Sequence, residues 1–206
     1  MDKQQKLNEV AGKIAQTKGG PFGPGLNPVP GEGDPDAQIM FIGEGPGFHE
    51  NRLGRPFVGV SGQLLRKTLV ENDFKESEVF ITNIVKFRPP ENRDPTPQEI
   101  EFFKPFLDEQ IEIISPKIIV TLGRFSMYKF LGEGVSISRI HGQARKMGKY
   151  LIFPMFHPAA ALRDGSMMRQ FKEDFGKLKD LLAGKPVNFE KKTIGKKLEE
   201  KQLELI

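Results

Sequence analysis

The chain has no cysteine among its 206 residues, which excludes disulfides, thiolate metal sites and a cysteine nucleophile. Tryptophan is also absent and only two tyrosines are present. Stacking on a flat ligand therefore falls to the 17 phenylalanines, a tyrosine or one of three histidines. No apolar run approaches the length that spans a bilayer. The opening stretch, MDKQQKLNEVAGKIAQTKGG, lacks the apolar centre of a secretory signal and reads as a polar helix, so a cytoplasmic protein is expected. Charge is nearly balanced, with 31 Lys and Arg against 27 Asp and Glu, a formal net charge of +4. Such an excess serves nucleic-acid binding when focused on one face, and composition alone does not separate this from ordinary solvated lysines.

Glycine and proline are plentiful, and from Gly19 to Pro35 they are dense enough to specify an irregular loop. Four short apolar runs follow, at 38–42, 79–85, 117–122 and 150–154. Their unbroken apolar character suits strands buried on both faces. Helical patterns occupy 61–72, 96–114, 124–131 and 166–182. Thr96-Pro97-Gln98-Glu99 is a capping box with Pro at the first helical position, and Pro105 is expected to kink the helix it opens. Strands alternating with helices predict an α/β fold: a three-layer α/β/α sandwich around a mostly parallel four-stranded sheet. One domain over 1–183 is expected, with 1–36 forming its N-terminal helix and Gly/Pro-rich loop. Residues 184–206 alternate Lys and Glu around Leu198, Leu203 and Leu205 and read as a charged, solvated tail. In parallel sheets, ligands bind beyond the carboxyl ends of the strands. Gly43, Asn83, Gly123 and His157 all fall at or just past such an end.

The segment Gly43–Gly62, GEGPGFHENRLGRPFVGVSG, follows the first strand directly, and its glycines permit close backbone approach to a flat or anionic ligand. Three further blocks follow in order: Ile81-Thr82-Asn83-Ile84-Val85-Lys86, RPPENR at 88–93 and HPAAALR at 157–163. Together they resemble the motifs of the uracil-DNA glycosylase superfamily, specifically its family 4 branch, over roughly residues 38–182. The resemblance implies a base-excision enzyme that flips uracil out of DNA and hydrolyses its N-glycosidic bond, leaving an abasic site. Uracil-containing DNA is the implied partner, and the chain is expected to act as a monomer.

The resemblance gives individual positions their roles. Phe57, in a polar Gly/Pro loop, matches the aromatic that stacks on the flipped uracil; a core phenylalanine is the alternative. Asn83 offers a donor and an acceptor, as uracil N3–H and O4 require, and cytosine presents the reverse pattern. Its alternative is a cap on a strand end. Glu44 and Gly45 match positions lining the uracil pocket. Glu50, or second to it Glu44, is expected to place the attacking water and offset positive charge on the sugar, because N-glycosidic cleavage passes through an oxocarbenium-like state. His157 is expected to donate to uracil O2 as a neutral imidazole. Leu162 matches a minor-groove wedge and Arg163 a phosphate contact. Arg88, Asn92 and Arg93 belong to a rigid basic loop that either touches the DNA backbone or only joins a strand to a helix.

The chain also departs from the pattern. Family 4 members typically hold an iron–sulfur cluster on four cysteines, and here Phe87 and Phe103 stand at two of those positions, with the region Gln16–Gly20 at the others. No cofactor is expected, and apolar packing is expected to fill the cluster's volume. Asn51 stands where many relatives carry Asp, after Phe48 and His49. Arg139-Ile140-His141 resembles a loop that traps the sugar covalently in some superfamily members but lies far later in the chain, so a structural or phosphate-contact role is expected for His141. Three rivals remain open on the sequence: a uracil-DNA binding protein that grips or bonds without turnover, a glycosylase for deaminated purines, and a general doubly wound nucleotide-binding domain.

Overall fold

The computed structural model describes residues 1–185; the charged tail expected beyond them lies almost wholly outside the described residues. Four parallel strands form the centre: β2 (Ile39–Gly43), β3 (Val79–Asn83), β4 (Ile118–Leu122) and β6 (Tyr150–Met155). The expectation of four strands needs correction, because the sheet has six. Two short edge strands, β1 (Glu32–Gly33) and β5 (Arg145–Met147), pair antiparallel with β3 and β6, giving the order β1-β3-β2-β4-β6-β5. Neither edge strand carries an apolar run, since its outer side faces water, so only its pairing reveals it.

Side chains alternate across the central strands as a period of two requires. Met40 and Ile42 enter one core with α1 (Lys3–Gln16), α4 (Pro97–Ile114) and α5 (Arg124–Leu131). Ile39 and Phe41 enter the other core with α3 (Val60–Glu71) and α8 (Gly165–Leu182). Both faces are covered, which gives the three expected layers and explains why the central strands read as unbroken apolar runs. Asp2 caps α1 through Gln5 N–H, Thr96 caps α4 through Glu99 N–H, and Asp164 caps α8 through Ser166 and Met167 N–H. Helix α4 runs unbroken from Pro97 to Ile114 with Pro105 inside it.

A further short helix, α2 (Phe48–Leu53), sits inside the Gly-rich segment that reads as loop from sequence. Glu50 at its third position accepts from Gly47 N–H, and Gly54 ends it in the left-handed region at φ 65°. The four-residue helices α6 (Ile137–Ile140) and α7 (Pro158–Ala161) complete the set. After β2 the chain passes to β3 on one side and then to β4 on the other, so the connection reverses direction beside β2. A crevice opens at such a reversal, outside the carboxyl ends of the strands.

Candidate active site

A cleft of about 690 Å³ occupies that crevice. Gly43 and Asn83 are register partners at the ends of β2 and β3. A Cβ on Gly43 would lie 2.4 Å from Asn83 Oδ1 and 2.5 Å from Phe57 Cζ, so only glycine lets the carboxamide and the ring sit together there. Asn83 lines the cleft, and its buried Oδ1 has no hydrogen-bond partner among the described residues. An unpaired buried acceptor costs about 1–3 kcal/mol. Beneath it, the fully buried Lys86 ammonium fixes the strand end. Its Nζ donates to Asn83 O at 2.8 Å, Thr82 Oγ1 at 2.8 Å and Gln110 Oε1 at 2.7 Å. Burial, reinforced by the nearby Lys129, pushes this amine well below the usual lysine range despite Asp108.

Phe57 is buried and holds φ at 51°, a left-handed backbone that a bulky residue adopts only under constraint. Such a conformation costs about 1–3 kcal/mol and persists where its surroundings over-determine it. The constraint here is Arg66 on α3. Its guanidinium donates to Phe57 O at 2.9 Å and Pro56 O at 2.8 Å and pairs with Glu32 and Glu76. Burial raises Glu32, but the guanidiniums of Arg55 and Arg66 more than offset this and hold it below the usual carboxylate range. Gly62 completes the clamp, since a Cβ there would lie 2.0 Å from the Phe57 carbonyl carbon.

Glu50 is buried with both carboxylate oxygens engaged. Oε1 accepts from Val58 N–H at 2.8 Å and Gly59 N–H at 2.7 Å, and Oε2 from Gly47 N–H at 3.1 Å. It stitches α2 to the Phe57 loop. Glu44 is a different kind of carboxyl. Burial, with the Asp94 charge adding and Arg124 opposing, raises it from 4.5 to about 7. His157 caps α7 by accepting from Ala159 N–H through Nδ1 at 3.1 Å. Since Nδ1 accepts, the neutral ring carries its proton on Nε2. Burial, with Arg163 adding and Glu50 opposing, pushes His157 down from 6.5 to about 4, so the ring is neutral near pH 7. The rings of His157 and Phe57 lie 5.9 Å apart, centre to centre.

Of the positions singled out in the sequence, Glu44, Gly45, Glu50, Phe57, Asn83, Asn92, Arg93, His157 and Arg163 all line this cleft. Leu162 stands 44% exposed beside it. Arg93 is held by Glu99, with Nη1 and Nη2 at 2.8 and 2.5 Å from the carboxylate. Arg88 donates to Asn92 Oδ1 at 2.8 Å. His141 is absent from the cleft lining. It bonds the fully buried Asp174 carboxylate at 2.7 Å and packs on Phe156 at 4.5 Å, contacts of a structural kind. The Arg66–Glu32 clamp, the buried Lys86 and the α2 cap escaped sequence reasoning.

The region where the resemblance to family 4 implies cluster ligands contains phenylalanine. Phe87 and Phe103 are fully buried with ring centres 6.0 Å apart, and Phe22 stacks on Phe103 at 5.7 Å. The turn at Gly20 closes on Phe102, whose ring would lie 2.6 Å from a Cβ there. This apolar set does not fit an iron–sulfur cluster, whose irons are held by thiolates. No group of three or more His, Cys, Asp or Glu among the described residues has the geometry of a metal site, and no described helix is long and apolar enough to cross a membrane.

Residues 30–179 match the family model described as the uracil DNA glycosylase superfamily. A type-4 uracil-DNA glycosylase of Sulfurisphaera tokodaii is 44% identical over 190 residues, 88% of this chain and 86% of its own. One of the same type from Thermotoga maritima is 44% identical over 160 residues, 76% of this chain and 83% of its own. A type-5 enzyme of Thermus thermophilus is 33% identical over 140 residues, 61% of this chain and 63% of its own. With glycines, carboxamide, aromatic and imidazole gathered at the strand ends and the family match covering more than half of its length, the chain belongs to the uracil DNA glycosylase superfamily.

Proposed function

We propose that this protein is a monofunctional uracil-DNA glycosylase of base excision repair, acting as a cytoplasmic monomer. The observation that carries the reading is the buried, unpartnered Oδ1 of Asn83 in a cleft shared with the Phe57 ring and a neutral His157. Uracil extruded from DNA lays its face on Phe57, and such stacking contributes about 1–3 kcal/mol. Its N3–H meets Asn83 Oδ1 and its O4 meets the amide N–H. Cytosine would set its N3 lone pair against Oδ1 and leave both groups unpaired, which is a strong basis for rejection.

Cleavage then separates charge. The C1′–N1 bond breaks, uracil departs with the electron pair, and His157 Nε2–H donates to O2 of the anion. Water attacks C1′, and its proton passes to a carboxylate. Glu44 is suited to accept it, because its carboxyl lies in the cleft and changes charge at about 7, near the optimum for a general base. Glu50, ranked first from sequence, spends both oxygens on the loop and acts by positioning Phe57. Leu162 fills the gap left by the flipped base, and Arg163, Arg88, Asn92 and Arg93 serve the DNA backbone near the mouth.

No cofactor enters the scheme. The packed rings of Phe22, Phe87 and Phe103 take the structural place of the cluster, and stoichiometric iron and sulfide in purified protein would overturn that assignment. The functional reading is tested by measuring free base released from oligonucleotides differing only in uracil or cytosine at one position. Uracil alone should be released; equal release, or none, would contradict it.

A further inference from the structure

Next to the cleft-lining Gly47 stands an exposed aromatic side chain that the uracil scheme leaves unused. Phe48 opens α2 directly after Gly47, a cleft-lining residue, and the residue is 55% exposed. The ring is oriented by its neighbours. The Arg88 guanidinium lies 5.3 Å from its centre, and the His49 ring meets it edge-on at 5.4 Å. Arg88 in turn donates through Nε to Asn92 Oδ1, and Asn92 lines the cleft. A chain of contacts thus runs from the cleft wall through an amide and a cation to an exposed ring. Leu162, likewise exposed, precedes the cleft-lining Arg163 at another part of the rim.

We propose that Phe48 and Arg88 form a second nucleotide site, which takes the base next to the extruded uracil. The inference rests on the glycosylase reading for its substrate, a DNA strand. Three observations select that occupant: the ring follows the cleft-lining Gly47 in the chain, a cation that matches a phosphate backbone links it to the cleft-lining Asn92, and the side chain is flat and apolar. Extruding one nucleotide leaves its neighbours unstacked on one side, and an aromatic at the mouth restores a stacking partner. Every base has a π-face, so the site is indifferent to sequence. It contributes most when the neighbour is unpaired, which assigns single-stranded uracil DNA as the strand form it favours.

The absence of tryptophan supplies the test. Phe48→Trp creates a protein with a single tryptophan, titrated with a short uracil-free single-stranded oligonucleotide while fluorescence and anisotropy are both followed. Stacking should quench the emission with the same dissociation constant that anisotropy gives. Phe48→Ala should weaken that binding about tenfold, within the range of one lost stacking contact. Its salt dependence should match wild type, because a neutral ring releases no counterion, whereas Arg88→Ala should lower the slope by about one. Unchanged emission at saturation, or wild-type affinity in Phe48→Ala, would overturn the proposal. The wild-type excision assay is read separately. Excision without quenching removes this site alone, while quenching without excision leaves the site standing and removes the enzyme assignment.

Discussion

Acidification from about pH 6.5 to about pH 4 should cost the folded state roughly 3 kcal/mol through His157 alone. Unfolded, the imidazole takes up its proton as pH falls through 6.5; burial, with help from Arg163, delays the native ring until about 4. Across that window the unfolded state binds more protons, so stability falls with pH. Above both values the ring is neutral in either state and contributes nothing; below about 4 both states are charged and the loss is complete. The difference of about 2.5 between the two pKa values, at about 1.36 kcal/mol each, gives the stated magnitude. Glu44 works in the opposite sense between 4.5 and about 7, where its native form binds the extra proton. The quantity to read is therefore a difference between proteins. Urea unfolding of wild type and His157→Gln should be measured at several pH values, since glutamine does not titrate and its amide oxygen can accept from Ala159 N–H. The two stability curves should diverge from pH 4 to pH 6.5, wild type falling more steeply toward acid. Parallel curves would refute the neutral, partly buried imidazole and, with it, the neutral donor to uracil O2.

Asn83→Ala should lower uracil excision at least about tenfold without destabilising the fold, because loss of an unpaired buried acceptor relieves about 1–3 kcal/mol and offsets the packing lost with it. Circular dichroism melts beside single-turnover rates check both halves. Wild-type excision should rise with pH through about 7 as Glu44 ionises, and Glu44→Gln should lower the plateau and flatten that limb; an identical limb in the variant would assign it to another group. Arg66→Met removes the bonds to the Phe57 and Pro56 carbonyls, and about 2 kcal/mol of stability should go with them. Its KM for uracil DNA should rise more than its kcat falls, since the ring is misplaced while Glu44 and His157 stay. Phe103→Ala should cost about 3–5 kcal/mol, the range for truncating a buried phenylalanine, and a urea titration near wild type would contradict the packed-ring account.

The central sheet was legible because all five residues of β2, β3 and β4 are buried, which leaves a continuous apolar run. The edge strands were not, because Glu32-Gly33 and Arg145-Lys146-Met147 become strands only by pairing with β3 and β6. Helix α2 is too short for a helical period to register, and its traces in the sequence are the three-residue step from Gly47 to Glu50 and the glycine at 54. Asn83 and His157 stood out because a polar side chain at the end of an apolar strand is conspicuous in one dimension. The contrast in the surroundings of Glu44 and Glu50 was hidden. It depends on which backbone N–H groups the folded loop turns toward each carboxylate, and three of them face Glu50. Arg66, Glu32 and Lys86 carry no local signal of their roles, which arise from partners brought together by folding, 34 positions apart for Arg66 and Glu32.

The most direct test of uracil excision is a denaturing gel of an end-labelled oligonucleotide with one uracil, incubated with wild type or Asn83→Ala and then treated with or without alkali. Strand scission at the uracil only after alkali, at a rate lost in Asn83→Ala, is the predicted result. An intact strand with wild type, or a label that migrates with protein after denaturation, would contradict it.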